Sequence, residues 1–131
     1  MILPLHPMSF AFPKDERLKR KKLFEALFRE GSSITVYPIK LIYLRTPLST
    51  EKKNQAAMAV PKKNFRKAVQ RNRVKRMLRE AYRLNKSQVF NNSYGKFAFL
   101  FLYIGKEMVP YGDIERNMQA VLRKFLKKEV S

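Results

Sequence analysis

The feature that most constrains this chain is a strongly basic stretch in its middle, KKNFRKAVQRNRVKRMLREAYR, at residues 62–83. Apolar residues recur in it at helical spacing, which predicts a helix beginning at about Arg66. So many arginines and lysines cannot be buried among apolar groups, because unpaired charges are costly to desolvate. The basic side must therefore meet water or a polyanion. The stripe predicted to face the core consists of Val74, Met77, Leu78 and Ala81.

The opposite side of this predicted helix carries charge of nearly one sign. Glu80 is the only acid in the stretch, whereas ordinary solvated helix faces mix acids with bases. A solvated face remains the alternative interpretation, but one-signed charge favours binding to a polyanion. The surface predicted to bind it contains Lys62, Lys63, Arg71, Asn72, Arg73, Lys75, Arg76, Arg79 and Arg83.

The charge of the whole chain points the same way. Its 131 residues contain 29 Lys+Arg and 10 Asp+Glu, a formal net charge of +19. Such an excess opposes compact folding by self-repulsion unless a dense anion neutralises it. Nucleic acid is the first candidate partner. A peripheral membrane protein with a basic amphipathic helix is a weaker hypothesis, because the apolar side of the helix is modest.

The residues that enzymes use for chemistry are scarce. There is no cysteine, and the single histidine, His6, lies in a proline-rich arm. The few acids are scattered, and no glycine-rich phosphate loop is present. We therefore expect no catalytic residues and no metal ligands in the protein, and RNA rather than DNA as partner, since unpaired bases can stack on exposed aromatic rings.

Targeting signals are also absent from the sequence. No apolar run approaches the roughly 20 residues of a membrane span, and the proline-broken start MILPLHPMSFAFP lacks a basic n-region. These features predict no membrane partner. They also predict a location in the interior of a bacterium or organelle, and we expect the protein to be cytoplasmic.

Periodicity predicts an α+β fold, a sheet with helices packed on it. We expect an N-terminal arm at residues 1–13 and a single domain at 14–128. The predicted elements are a helix from Lys14 to Glu30, strand character from Ser32 to Arg45 split at Pro38, a returning strand from Gln55 to Val60 that completes a hairpin, the basic helix, an apolar central strand from Lys96 to Ile104, and a last helix capped by Asp113. Turn and loop composition is expected at 46–54 and 85–95.

The basic stretch resembles the signature region of the bacterial ribonuclease P protein component. The resemblance rests on paired lysines after a strand, an Arg-Asn-Arg core, and the Lys-Arg and Leu-Arg-Glu steps that follow at the same spacing. It extends outward to RLKRKKLFEALFREG and KFAFLFLYI, and covers about residues 17–126. The matching positions are Lys62-Lys63, Ala68-Val69, Arg71-Asn72-Arg73, Lys75-Arg76 and Leu78-Arg79-Glu80.

By this resemblance the fold is a two-layer α+β sandwich of a roughly four-stranded sheet with three helices. It is like domain 2 of ribosomal protein S5, with a left-handed βαβ crossover around the basic helix. The implied activity is removal of the 5′ leader from precursor tRNA. The catalytic subunit is then RNA, and Mg²⁺ is held mainly by that RNA. Apart from the resemblance, which leaves the oligomeric state open, we expect the protein by itself to be a monomer. A general RNA- or ribosome-binding module without a tRNA-processing role is the alternative.

The resemblance also implies a cleft that binds the leader. Helical spacing alone favours a core position for Phe24 and Phe28, but both match leader-contacting aromatics of the family's first helix. Tyr43 matches a strand tyrosine of the same cleft if a one-residue gap is placed near Tyr37 and Pro38. The expected cleft residues are thus Phe24, Phe28 and Tyr43.

Overall fold

The structure is a computed structural model that describes residue 12 and residues 14–46, 54–87 and 96–130. Most of the predicted arm and most of the two predicted loops lie outside the described residues. The described residues form four strands and three α-helices. The strands are β1 (Ser32–Val36), β2 (Ile39–Arg45), β3 (Asn54–Ala59) and β4 (Phe97–Tyr103), and the helices are α1 (Lys21–Glu30), α2 (Ala68–Asn85) and α3 (Tyr111–Val130).

The four strands form one mixed sheet in the order β1-β2-β4-β3. β1 pairs antiparallel with β2, and β2 pairs antiparallel with β4. β3 pairs parallel with β4, so α2 connects two parallel strands. Both the α+β class and the central position of the apolar strand are confirmed.

The predicted hairpin between the second and third strands is wrong. β3 does not return along β2, because β4 lies between them and bonds to both. The residues of β4 from Phe97 to Phe101 are all buried, and an uninterrupted apolar strand gains most when both its edges and both its faces are covered. Sequence neighbours usually pair in a sheet, and here the demand for burial overrides that tendency.

The first helix is shorter than predicted. α1 begins at Lys21, and residues Lys14–Glu16 form a separate 3-10 turn. Between them Arg17 forms a parallel bridge to Ala56, and the Leu18 N–H donates a hydrogen bond to the Ala56 carbonyl over 2.9 Å. The segment thus runs along the outer edge of β3, because hydrogen bonding to that edge replaces a further turn of helix.

Asp113 does not cap the last helix. α3 begins two residues earlier, at Tyr111, and Asp113 lies in its first turn, where its carboxylate pairs with Arg116. A carboxylate still suits this place, because the first turn of a helix is electropositive. The apolar stripe predicted for this helix is confirmed, with Ile114, Met118, Val121, Leu122 and Phe125 fully buried.

Helices cover the two faces of the sheet unequally. One face, here called the closed face, lies under α2 and α3 and carries the aromatic core. The other, here called the open face, is covered by α1, which packs against β2 and β4. The closed face includes Leu41, Tyr43, Phe97, Phe99 and Phe101, and the open face includes Ile42, Leu44, Ala57, Ala59, Ala98, Leu100 and Leu102.

Candidate nucleic-acid interface

The buried side of α2 fixes which of its residues reach solvent. Val74, Leu78 and Ala81 are fully buried in the closed face, as predicted, and Met77 packs against the same core. Tyr82 is also fully buried, and its ring contacts Phe99 and Phe101. Because a helix buries one side only, the residues on the other side of α2 point away from the sheet.

That outward side carries four cationic side chains and one neutral amide, and is here called the basic ridge. Asn72, Arg73, Arg76 and Arg79 are exposed, and Lys75 is half-buried. Within the described part of the chain, none of these five side chains forms an ion pair or hydrogen bond. The ridge therefore presents unneutralised donors of the kind that bind phosphate oxygens.

Arg83 differs from the ridge because it has an acidic partner. Its Nε donates to Glu80 Oε1 over 3.1 Å and its Nη2 to Glu80 Oε2 over 2.6 Å. The hydrogen bond from Arg83 lowers the pKa of Glu80, and the same bond raises the pKa of Arg83. Part of the Arg83 guanidinium is thus engaged within the protein.

Arg71 contributes to the shape of the loop before α2. Its Nη1 donates to the Phe65 carbonyl over 2.8 Å and to the Arg66 carbonyl over 2.9 Å. The Phe65 ring is buried against Tyr103. Arg71 therefore stabilises the entry into α2.

Lys62 and Lys63 are exposed in the turn that follows β3. Asn64 anchors this turn, because its Nδ2 donates to the carbonyls of Tyr103 and Gly105 over 3.2 and 3.1 Å. The two lysines are thus held at one end of α2, whose first turn contains no acid.

A groove of about 580 Å³ runs beside the basic ridge and is here called the arginine groove. It is lined from α2 by four arginines and by Met77 and Glu80, and from outside α2 by two aromatic residues and one further arginine. Sequence reasoning missed the two aromatic residues and this further arginine. Nothing in the sequence distinguishes that arginine among the many basic residues before α1. The lining consists of Arg73, Arg76, Met77, Arg79, Glu80, Arg83, Phe12, Arg17 and Tyr111.

The open face forms a second surface beside α1. Leu23 and Leu27 anchor α1 to the sheet, Phe24 is half-buried at its side, and 65 % of Phe28 is exposed. Ala57 and Ala59 of β3 remain partly exposed on the same face. This face therefore combines small apolar side chains on β3 with an exposed aromatic ring on α1.

The structure does not place Tyr43 on the open face with Phe24 and Phe28. Tyr43 is only 3 % exposed and lies on the closed face, where its ring packs edge-on against Phe125 with centroids 4.9 Å apart. Its hydroxyl donates to Glu129 Oε2 over 2.8 Å. Burial, together with the bond to Glu129, raises the pKa of Tyr43 to about 12. These contacts give Tyr43 a structural role.

The face on which Tyr43 is expected depends on the one-residue gap. Successive side chains of a strand point to opposite faces, so a shift of one residue exchanges the faces. Ile42, the neighbour of Tyr43, packs with α1 on the open face. Ile42 is therefore the β2 residue at the position where the cleft was predicted to have an aromatic ring.

Within the described ranges, no three histidine or acidic side chains come together to hold a metal ion. None of the described helices is long and apolar enough to cross a membrane.

Comparison with known proteins identifies the family. The sequence model of the Ribonuclease P family matches residues 12–126. A ribonuclease P protein component of Porphyromonas gingivalis is 35 % identical over 119 residues, which cover 88 % of this chain and 87 % of the relative. Another, from Chlorobium phaeobacteroides, is 42 % identical over 80 residues, with 59 % and 55 % covered.

Solved structures show the same fold. The ribonuclease P protein of Staphylococcus aureus superimposes with a TM-score of 0.68 at 21 % identity, covering 90 % of this chain and all of that one. The Thermotoga maritima protein gives 0.68 at 23 % identity, with 83 % and 96 % covered.

Proposed function

Because this chain belongs to the ribonuclease P protein family and is the protein subunit of that tRNA-processing enzyme, we propose that its two exposed surfaces bind two different RNAs. The basic ridge of α2 binds the catalytic RNA subunit. The open face beside α1 binds the 5′ leader of precursor tRNA. The family excludes the alternative of a general RNA-binding module without a role in tRNA processing.

The observation that carries this proposal is the unneutralised basic ridge. Asn72, Arg73, Lys75, Arg76 and Arg79 have no partner within the described part of the protein, and folded RNA supplies phosphates at high density. Each arginine can donate two parallel hydrogen bonds to one phosphate. Lys62 and Lys63 extend the same positive surface past the start of α2.

The open face suits a single strand better than a folded RNA. Phe28 offers an exposed ring, Phe24 offers the edge of a half-buried one, and Ala57 and Ala59 are small and partly exposed on β3. Unpaired bases stack on such rings with little regard to sequence. A leader is unpaired chain next to the cleavage site, so it matches this surface in shape and chemistry.

The bond-breaking step is assigned to the RNA subunit. The family uses Mg²⁺, and the described acids of this protein do not converge into a set of ligands that fits the ion. We therefore propose that Mg²⁺ is held mainly by the catalytic RNA. The protein contributes by holding that RNA and the leader in fixed positions.

We further propose that residues 14–128 fold as one domain, that the protein by itself is a monomer, and that it works in the cytoplasm. One connected sheet with helices on both faces supports a single domain. Catalytic RNA and precursor tRNA are the only partners the proposal requires.

Reconstitution tests the proposal. Purified protein, catalytic RNA and both together are incubated with precursor tRNA at low Mg²⁺, and release of the leader is measured. We expect no cleavage by the protein alone and efficient cleavage by the mixture. Cleavage by RNA-free protein would refute the assignment of chemistry to the RNA, and failure of the protein to stimulate the RNA would refute its role as the subunit.

A further inference from the structure

Arg17 lies outside the signature region, yet it lines the arginine groove together with Arg73, Arg76, Arg79 and Arg83. We propose that Arg17 is a further phosphate-binding residue for the catalytic RNA, an inference that rests on the function proposed above. We also propose that Phe12 positions it. The groove would then receive the RNA backbone from two sides, α2 on one and the segment before α1 on the other.

The backbone around Arg17 is fixed in place. The Arg17 N–H donates to the Lys14 carbonyl over 3.1 Å, and the following N–H, that of Leu18, donates to Ala56 at the edge of β3. Glu16 and Leu18 are buried while Arg17 between them is exposed. This alternation, typical of extended backbone, turns the Arg17 side chain outward.

A buried ion pair stabilises this arrangement from below. Lys86, at the end of α2, donates to Glu16 Oε1 over 2.5 Å, and both side chains are nearly inaccessible to solvent. The pair joins the segment before α1 to the helix that carries the basic ridge. Arg17 therefore keeps a fixed position relative to the arginines of α2.

The Arg17 side chain is also held, which is unusual for an exposed arginine. Its Nε donates to the Phe12 carbonyl over 3.1 Å, and its guanidinium carbon lies 5.5 Å from the centre of the Phe12 ring. The Phe12 ring in turn packs edge-on against the buried ring of Tyr82. A cation stacked on an aromatic face loses little further entropy when it binds an anion.

Among the described residues, no acid in the groove is free to neutralise Arg17. Glu80 is the only acid in the described lining of the groove, and both of its oxygens accept hydrogen bonds from Arg83. No carboxylate pairs with Arg17 within the described ranges. A fixed and unneutralised guanidinium among four others matches the phosphate backbone of an RNA.

The test measures binding of the full-length protein to catalytic RNA over a range of salt concentrations. We expect Arg17→Gln to bind about tenfold more weakly and to lower the slope of log affinity against log salt by about 0.7–0.9, the loss of one phosphate contact. Arg76→Gln is the positive comparison. Arg123→Gln removes an equal charge from the exposed side of α3 and serves as the matched control.

Three results would overturn the inference. The first is a slope for Arg17→Gln no different from that of Arg123→Gln. The second is unchanged binding to the catalytic RNA together with a leader-dependent loss of precursor-tRNA affinity in the reconstituted enzyme. The third is an effect fully explained by unfolding, checked by thermal denaturation and by Arg17→Lys, which keeps the charge and should retain most of the slope. Failure of the wild-type protein to bind catalytic RNA would instead refute the proposed function.

A double-mutant cycle tests the role of Phe12. Phe12→Leu removes the ring beneath the guanidinium, and we expect it to weaken RNA binding in the wild type but not in the Arg17→Gln background. Equal weakening in both backgrounds would show that Phe12 does not act through Arg17.

Discussion

Along β4 the closed and open faces of the sheet differ in the size of their side chains. Phe97, Phe99, Phe101 and Tyr103 point to the closed face, whereas Ala98, Leu100 and Leu102 point to the open face. β3 continues the difference with Ala57 and Ala59 on the open face. Large rings fill the space under two helices, whereas smaller apolar side chains lie on the face that one helix covers. We infer that the rings of the closed face mainly provide stability, whereas the open face provides the proposed leader-binding surface.

The largest effect that would sharpen this comparison is loss of stability on the closed face. Phe99 is fully buried and contacts the rings of Tyr82, Phe97, Phe101 and Phe125. We expect Phe99→Ala to lower the free energy of unfolding by about 3–5 kcal/mol, because it leaves a cavity in a packed core. Urea denaturation measures this. Phe28→Ala is the control on the open face and should change stability by less than about 0.5 kcal/mol.

The next effect concerns binding on the open face. Phe28→Ala should weaken the leader-dependent part of precursor-tRNA affinity by about 1–3 kcal/mol, the range for one stacked base. The measurement compares substrates with and without a leader in the reconstituted enzyme. Phe28 is a cleaner probe than Phe24, since Phe24 also packs against the core beneath α1. Equal affinity losses for both substrates would remove the open face from leader binding.

A larger side chain on the open face should also lower leader-dependent affinity, by a smaller amount. Ala59→Leu adds a larger side chain to a partly exposed position. We expect leader-dependent affinity to fall by about 1 kcal/mol, since one stacked base would be displaced. Stability should stay nearly unchanged. An unchanged or improved leader-dependent affinity would show that this part of the face is not used.

The smallest expected effect tests whether Tyr43 belongs to the core and not to the leader-binding surface. Tyr43→Phe deletes the hydrogen bond to Glu129 and should cost about 0.5–1.5 kcal/mol of stability with no change in leader affinity. The pKa of Tyr43 is raised from 10.0 to about 12. Its stabilising contribution is therefore complete below pH 10 and is lost as the pH rises towards 12. The stability difference between wild type and Tyr43→Phe should shrink over that interval. A loss of leader-dependent affinity in Tyr43→Phe would show instead that Tyr43 belongs to the leader-binding surface.

Much of this arrangement was predictable from the sequence because it follows from periodicity. The buried stripe of α2, that of α3 and the central apolar strand are set by which residues can leave water. The pairing of β3 was not predictable in this way, because the choice between β2 and β4 depends on burial of the whole sheet. The start of α1 was missed because Glu16 finds its partner Lys86 far along the chain.

The candidate sites also differ in how far they could be predicted from the sequence. The basic ridge follows from one helix and one sign of charge, so sequence alone indicated it. The arginine groove needs Phe12, Arg17 and Tyr111, which come from distant segments. The position of Tyr43 depended on a single-residue gap, and strand alternation makes such a gap decisive for which face a side chain joins.

Site-specific crosslinking tests the division of surfaces most directly. The chain contains no cysteine, so Ala59→Cys and Asn72→Cys each carry a photoreactive group at one known place, and Arg123→Cys serves as the control. In the reconstituted enzyme with precursor tRNA, we expect the group at position 59 to crosslink to leader nucleotides and that at position 72 to crosslink to the catalytic RNA. Leader crosslinks from position 72 and catalytic-RNA crosslinks from position 59 would contradict the assignment of the two surfaces.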